Sequence, residues 1–128
     1  MKNVTANIRA NKGGTYFVQV GKNGPVVEPA NLRDGYMVAL DGNEWSISST
    51  SLDDFLIGQF IGKNWDLLIE PGYYLGAWET NGRVYLDVSR HHDGFDSAVQ
   101  IGINNHQKAI WDIKNAEEID LDGMGWHF

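Results

Sequence analysis

Large apolar residues recur with a period of two along residues 36–40 and 45–47, which is typical of β-strands with one buried face. Asp41 and Gly42 lie in the middle of the segment, and this pair suits the positive φ angles of a two-residue type I′ turn. The register that such a turn sets places Val38 opposite Trp45. We therefore predict a β-hairpin with one apolar face and a second, mixed face. The predicted apolar face consists of Tyr36, Val38, Leu40, Trp45 and Ile47.

The same alternation runs through residues 73–89, with an Asn-Gly pair as the turn at 81–82. The resulting register places Trp78 opposite Tyr85, and Tyr74 lies on the same face of this second hairpin. An aromatic face of this kind favours a binding module for a small ligand or a nucleotide; packing beneath another segment of the chain is the alternative. The predicted core face consists of Leu75, Ala77, Val84, Leu86 and Val88.

Helical spacing of apolar residues follows each hairpin, over residues 51–63 and 93–105. Ser51 stands three residues before Asp54, which is the spacing of a capping box, and an Asp at 93 is the expected N-cap of the second helix. We predict that each helix buries one row of apolar side chains against the sheet. The predicted buried residues are Leu52, Phe55, Leu56, Phe60, Phe95, Val99 and Ile103.

A short strand is predicted after each helix, over 65–70 and 107–113, and the N-terminal 30 residues are expected to form another hairpin. The order hairpin, helix, strand occurs twice, so residues 36–70 and 73–113 are candidates for an internal repeat, with chance similarity of common elements as the alternative. The predicted fold class is α+β: a mostly antiparallel sheet of about six to eight strands carrying two short helices, in a single domain over 1–128.

Composition narrows the classes of protein that fit. The chain has 128 residues and no cysteine, which excludes a disulfide scaffold, a cysteine nucleophile and a thiolate metal site. No apolar run approaches the roughly 20 residues that cross a bilayer, and no signal-peptide pattern is visible. We therefore expect no membrane association and a cytoplasmic location, in the host cell if the protein is encoded by a phage.

The charge is uneven along the chain. The formal net charge is −7, and residues 65–128, with eleven acidic and four basic residues, hold all of it. Such a domain repels nucleic acid phosphates and is steered toward a partner protein with a basic surface, although solubility alone also explains acidity. The candidate contact residues near the C-terminus are Glu117, Glu118, Asp120, Asp122 and Trp126.

Two adjacent histidines, His91 and His92, are the first candidates in the sequence for a metal site or for acid–base chemistry. Successive side chains of a strand point to opposite faces, so the pair cannot readily chelate one ion, and zinc needs three or four convergent ligands. We therefore predict a structural corner, with no catalytic residue, no metal and no cofactor. A metal site that recruits a distant histidine and a pH-sensitive pair at an interface are the alternatives.

Residues 75–113 resemble a segment of small bacteriophage proteins of no established activity, in a Gly-x-Trp strand, a "VYLDVS" strand, an alanine-bearing helix and a Gln-x-Ala-Ile-x-Asp strand. More loosely, Trp78, Ala109, Ile110 and Asp112 are similar to positions of the antirestriction proteins of the ArdA type. The resemblance implies a phage-type origin. Together with the uneven charge and the lack of a catalytic constellation, it leads us to predict an accessory protein that binds another protein and inhibits a host enzyme of nucleic acid metabolism or defence. A structural virion component is the alternative.

Overall fold

The computed structural model describes residues 4–122, in which eight strands form one antiparallel sheet beside four α-helices. The strands are β1 Gly13–Gly21, β2 Gly24–Pro29, β3 Tyr36–Ala39, β4 Trp45–Ser48, β5 Tyr73–Thr80, β6 Arg83–His92, β7 Ala109–Asp112 and β8 Glu117–Asp120. The helices are α1 Val4–Asn11, α2 Asp54–Lys63, α3 Trp65–Leu68 and α4 Phe95–Asn104, with a 3-10 turn at Ser49–Ser51. The predicted α+β class is confirmed.

The sheet is organised around β6, its longest strand. The order of neighbours is β2-β1-β5-β6-β3-β7-β8, and β4 also pairs with β6. One edge of β6 therefore holds β5, while the other edge holds β3 and β4 one after the other. None of the helices in residues 4–122 is long and apolar enough to cross a membrane.

The β5–β6 hairpin forms as the alternation predicted. Trp78 lies opposite Tyr85, and the turn residues Asn81 and Gly82 have φ angles of 51° and 77°. Positive φ at both positions is what a type I′ turn requires, so turn chemistry and hydrophobic pattern specify the same register. All five predicted core residues of this hairpin are buried: Leu75, Ala77, Val84, Leu86 and Val88.

The predicted hairpin over 36–48 is wrong in its pairing. β3 and β4 do not pair with each other, because both lie along β6: Ala39 pairs with Ser89, and Trp45 resumes the ladder at Leu86. Residues 41–44 bulge out between them. The predicted apolar face survives, since pairing with β6 keeps the alternation. Val38 is fully buried, and the partly buried residues of that face pack against the cores: Tyr36, Leu40, Trp45 and Ile47.

The N-terminal segment is a helix, where a strand was predicted. Val4 and Ile8, one helical turn apart, are both buried in the main core. Their spacing of four residues, which suits a helix, outweighs the weak strand-like alternation of this segment. The side chain of Thr5 donates to the carboxylate of Asp54 at 2.6 Å, which ties α1 to α2. The N-terminal hairpin is therefore β1 and β2, joined at 22–23.

The predicted strand over 65–70 is also wrong, because α3 occupies it. Asn64, which is buried, connects the two helices: its carbonyl accepts the N–H groups of Leu67 and Leu68, and its side chain donates to the carbonyl of Phe60 at 2.9 Å. Without this strand and the first hairpin, the candidate repeat loses two of its elements.

Helix α2 buries a different stripe from the predicted one. Asp53, not Ser51, is its N-cap and accepts the N–H of Leu56 at 2.8 Å. Phe55 is 71% exposed and Leu56 half-buried, contrary to the prediction, whereas Leu52 and Phe60 are buried as predicted. The buried residues within α2 are Ile57, Phe60 and Ile61.

Helix α4 also departs from the prediction at its start. Its N-cap is Gly94, with no side-chain cap, so Asp93 does not cap it. Phe95 is 43% exposed and lies edge-on to Tyr36, while Val99 is buried as predicted and Ile103 is half-buried. The C-terminal half of α4 packs on β7, over the second of two core clusters.

The two phenylalanines of α2 give a matched test of this packing. Phe60 has no exposed surface and lies edge-on to Trp45, with ring centroids 5.2 Å apart. Phe60→Ala should lower the free energy of unfolding by about 3–5 kcal/mol, because it leaves a cavity in the core. Phe55→Ala should change it by less than about 0.5 kcal/mol. Urea denaturation measures both, and equal losses would contradict the observed helix frame.

Candidate functional site

One face of the sheet carries all four helices, and the other carries none among residues 4–122. Buried residues of α1, α2 and α3 share the main core with strand residues such as Leu75 and Leu86, while α4 packs on Val38 and Ile110 on the same side. Strand side chains of the opposite parity point away from the helices. We call this second side the open face, and its principal side chains are Phe17, Tyr74, Trp78, Tyr85, Asp87 and Trp111.

Aromatic rings dominate the open face. The rings of Trp78 and Tyr85 are stacked, with centroids 5.1 Å apart, and those of Phe17 and Tyr74 lie 6.3 Å apart. Trp78 is 44% exposed, so no described segment packs over it. The structure places the three aromatic residues that the sequence nominated together on one face. Their role in binding stays a prediction.

Asp87 lies in the middle of the open face and is the functional candidate that the sequence reasoning missed. Its carboxylate lies over Gly76, the residue on β5 that pairs with Asp87, so a Cβ at position 76 would collide with the carboxylate. The hydroxyl of Ser89 donates to it at 2.6 Å. A glycine opposite an acid in two central strands is the available sequence signal, since both residues are unfavourable there.

Burial makes this carboxyl group unusual. Asp87 is 8% exposed, and its pKa is raised from 3.8 to about 6, mainly by burial and to a smaller extent by the negative charge of Glu44. The hydrogen bond from Ser89 acts in the opposite direction, because it stabilises the charged form. Near neutral pH the open face thus holds a carboxylate with no cationic partner among the described contacts.

The acidic residues nominated near the C-terminus do not form one patch. Glu117–Asp120 is the edge strand β8, so alternation turns Glu118 and Asp120 toward the open face and Glu117 toward the helix side. Asp122 follows the strand, and its N–H donates to Asp120 at 2.8 Å. Trp126, the fifth nominated residue, lies outside the described residues 4–122.

Negative charge exceeds positive charge on the open face. The strand residues that point there in the described chain include one arginine, Arg83, which donates to the hydroxyl of Ser46 at 2.6 Å. An acidic, aromatic surface of this kind suits a cationic partner better than an anionic one. The acidic strand residues of the open face are Glu28, Asp87, Glu118 and Asp120.

His91 and His92, which we call the histidine corner, point to opposite sides of the sheet, as the strand geometry predicted. His92 points to the helix side, is 9% exposed, and its Nε2 has no hydrogen-bond partner among the described residues. Burial lowers the pKa of His92, Arg90 and His91 lower it further, and Asp93 opposes them. A neutral, buried imidazole is a structural group, and it is not placed to share a ligand with its neighbour.

His91 lies on the other side and meets a segment distant in sequence. Its Nε2 is 2.8 Å from the carbonyl oxygen of Asp34, and its Nδ1 is 3.8 Å from Oδ1 of Asp93. Ligand atoms of Asp34, His91 and Asp93 all lie within 4.8 Å of one another, which is a spacing that could hold a metal ion. The predicted N-cap role of Asp93 is wrong, because Gly94 is the N-cap of α4.

The pKa of Asp87 predicts how stability depends on pH. The folded state keeps this proton to a higher pH than the unfolded state, so stability is lost as pH rises from about 4 through about 6. Asp87→Asn cannot ionise. Between pH 4 and pH 8, stability should therefore shift in favour of the variant by about 3 kcal/mol, measured by denaturant titration at both values.

Two comparisons isolate this effect. His92 is unchanged in both proteins, so the stability that its lowered pKa removes at acidic pH cancels in the difference. Glu118→Gln, which removes an exposed carboxylate from the same face, is the matched control and should leave the pH dependence unchanged. An identical pH dependence for wild type and Asp87→Asn would show that the buried carboxyl group is not the one that titrates.

The comparisons with known proteins leave the site to be judged on its own geometry. No family model matches the chain, no curated protein matches it, and no solved structure matches it. The resemblances of residues 75–113 to phage and antirestriction proteins therefore stay predictions. Since a fold alone does not determine a function, the open face and the histidine corner are the features of the molecule that bear on its function.

Proposed function

We propose that this protein is a binding domain that holds a partner protein with a basic surface against its open face. The observation that carries the proposal is the exposure of Trp78, Phe17 and Trp111, at 44%, 41% and 41%, on a sheet face that no described helix covers. Exposed large aromatic residues grouped on one surface are typical of interaction sites. Tryptophan and tyrosine are also the residue types that contribute most to binding energy at interfaces.

The shape of the open face favours a macromolecule over a small ligand. A depression on this face, between Phe17, Tyr74 and residues 28–32, has a volume of about 240 Å³. Pockets that enclose small ligands are generally larger, at about 300–1,000 Å³, and bury most of the ligand. A nucleotide on the aromatic face is therefore the weaker alternative, and the acidic residues beside it would also repel phosphate groups.

Charge favours a basic partner. The net charge is −7, and the open face adds Asp87, Glu118 and Asp120 to its aromatic residues. Complementary charge speeds association and discriminates between partners, while the aromatic residues supply the buried apolar area. Direct binding to nucleic acid is disfavoured on the same grounds.

The resemblance of residues 75–113 supports a narrower proposal about the biological setting. We propose a phage-type accessory protein that acts in the cytoplasm of the host cell by occupying a basic surface of a host protein. An enzyme that acts on nucleic acid presents such a surface, so binding there would inhibit it by competition. The proposed activity is binding, and no step of bond making or breaking is assigned to this chain.

The proposal predicts which variants lose binding. The immobilised protein should capture a basic protein from a bacterial lysate, and that protein, once purified, should bind wild type with a measurable Kd. Trp78→Ala and Tyr85→Ala should each weaken binding by about tenfold or more, since central aromatic residues cost at least about 2 kcal/mol when truncated. Glu118→Lys with Asp120→Lys should slow association, and 0.5 M salt should remove this difference.

Phe55→Ala is the matched control for the aromatic variants. Phe55 is 71% exposed but lies on the helix layer, so its removal deletes an exposed aromatic residue without touching the open face. The proposal requires unchanged affinity for this variant. Equal weakening by Phe55→Ala and Trp78→Ala, or full binding by both, would show that the partner does not use the open face.

A further inference from the structure

We propose that Asp34, His91 and Asp93 form a binding site for a divalent transition-metal ion, such as Zn²⁺ or Mn²⁺. The three side chains converge at one end of the sheet, from the loop before β3 and the corner between β6 and α4. Two of them are 57 residues apart in sequence, so the fold, not local sequence, brings them together. One imidazole nitrogen and two carboxylate oxygens suit a first-row transition metal.

The hydrogen bonding of His91 leaves its second ring nitrogen, Nδ1, free on the side of Asp93. Nε2 lies 2.8 Å from the carbonyl oxygen of Asp34, and a carbonyl only accepts, so Nε2 carries the proton of the neutral ring. Nδ1 then has a free lone pair. This is the arrangement of a metal-ligating histidine, whose second nitrogen donates to a backbone carbonyl and thereby fixes the ring.

The distance between Nδ1 and Asp93 fits an ion better than a hydrogen bond. The two atoms are 3.8 Å apart, which is too far for a hydrogen bond. Metal bonds to imidazole nitrogen and carboxylate oxygen are about 2.0–2.2 Å long, so one ion can contact both atoms without a change in the backbone. The required movement of the Asp93 side chain is small, and that side chain is 95% exposed.

The ring of His91 is held in place before any ion binds. Gly35 has a φ of +87°, and a Cβ at this position would collide with Nε2, so the backbone here passes directly against the imidazole. The strand pairing of His91 with Met37 fixes the backbone on the other side. A ligand that is already oriented loses little conformational freedom on binding, which favours affinity.

The carboxylates are available to an ion. Asp93 does not cap α4, and among the described hydrogen bonds no donor contacts either the Asp93 or the Asp34 carboxylate. A depression of about 300 Å³ beside them gives water molecules room to complete the coordination. Asp112 and Lys114 also line this depression; the carboxylate of Asp112 accepts from Asn115 at 2.8 Å, and the charge of Lys114 opposes the ion.

Calorimetric titration of the full chain with ZnCl₂, after removal of metals with a chelator, tests the proposal. Wild type should bind one Zn²⁺ with saturation, and His91→Ala and Asp93→Asn should each weaken binding about tenfold or more. In NMR spectra, Mn²⁺ should broaden the amide signals of Gly35 and His91 first. Both variants are accepted for the test once their thermal unfolding matches wild type.

His106→Ala is the matched control. His106 is an exposed histidine with one carboxylate partner, Asp41, whose oxygen lies 2.9 Å from Nδ1, so it offers two ligand atoms where the proposed site offers three. This variant should bind Zn²⁺ as wild type does. Absence of saturable Zn²⁺ binding by wild type would overturn the proposal, as would binding that survives His91→Ala but is lost in His106→Ala or His127→Ala.

Discussion

The rest of the structure depends on the hydrogen-bonded ladder of β6. Residues 83–90 of this ten-residue strand pair with β5, and its other edge pairs with β4 over residues 83–86 and with β3 over residues 89–92. Its alternation divides the molecule, because Val84, Leu86 and Val88 meet the helices while Tyr85 and Asp87 meet the open face. The strand ends at the histidine corner, so both proposed sites take their geometry from one element.

The sequence predicted β5 and β6 correctly because every signal for that hairpin is local. The Asn-Gly turn and the alternation agree on one register, and no distant segment has to be known. The same kind of signal failed at Asp41 and Gly42, because alternation gives the face of a strand but not its partner. The long edge of β6 accepts both halves of the segment, and the Asp-Gly pair ends up in a bulge. For α2, the apolar residues surround much of the helix, so spacing alone did not decide whether Phe55 and Leu56 or Ile57 and Ile61 face the core.

The candidate sites were predictable to different degrees for the same reason. Tyr74, Trp78 and Tyr85 share a face by alternation within one hairpin, so the sequence was sufficient to group them. The register of the same hairpin also places Gly76 opposite Asp87, so this pair could have been found from the sequence. The contact between Asp34 and His91, in contrast, joins segments 57 residues apart. We predicted Asp93 as the N-cap of α4, a position that Gly94 occupies. This prediction hid the availability of the Asp93 carboxylate, which lies 3.8 Å from Nδ1 of His91.

Asp87 connects stability to the proposed function. An ionised carboxylate in the middle of a sheet is unfavourable, and its pKa of about 6 means that the folded protein bears this cost at neutral pH. Because Asp87 is 8% exposed, the positive charge of a bound partner would lower this cost through space and not by direct contact. His91 lies four residues further along the same face of β6, about 13 Å away at the rise of a β-strand. An interface of ordinary size covers that distance, so a partner on the open face would also contact the histidine corner, and an ion bound there would change the charge that the partner meets.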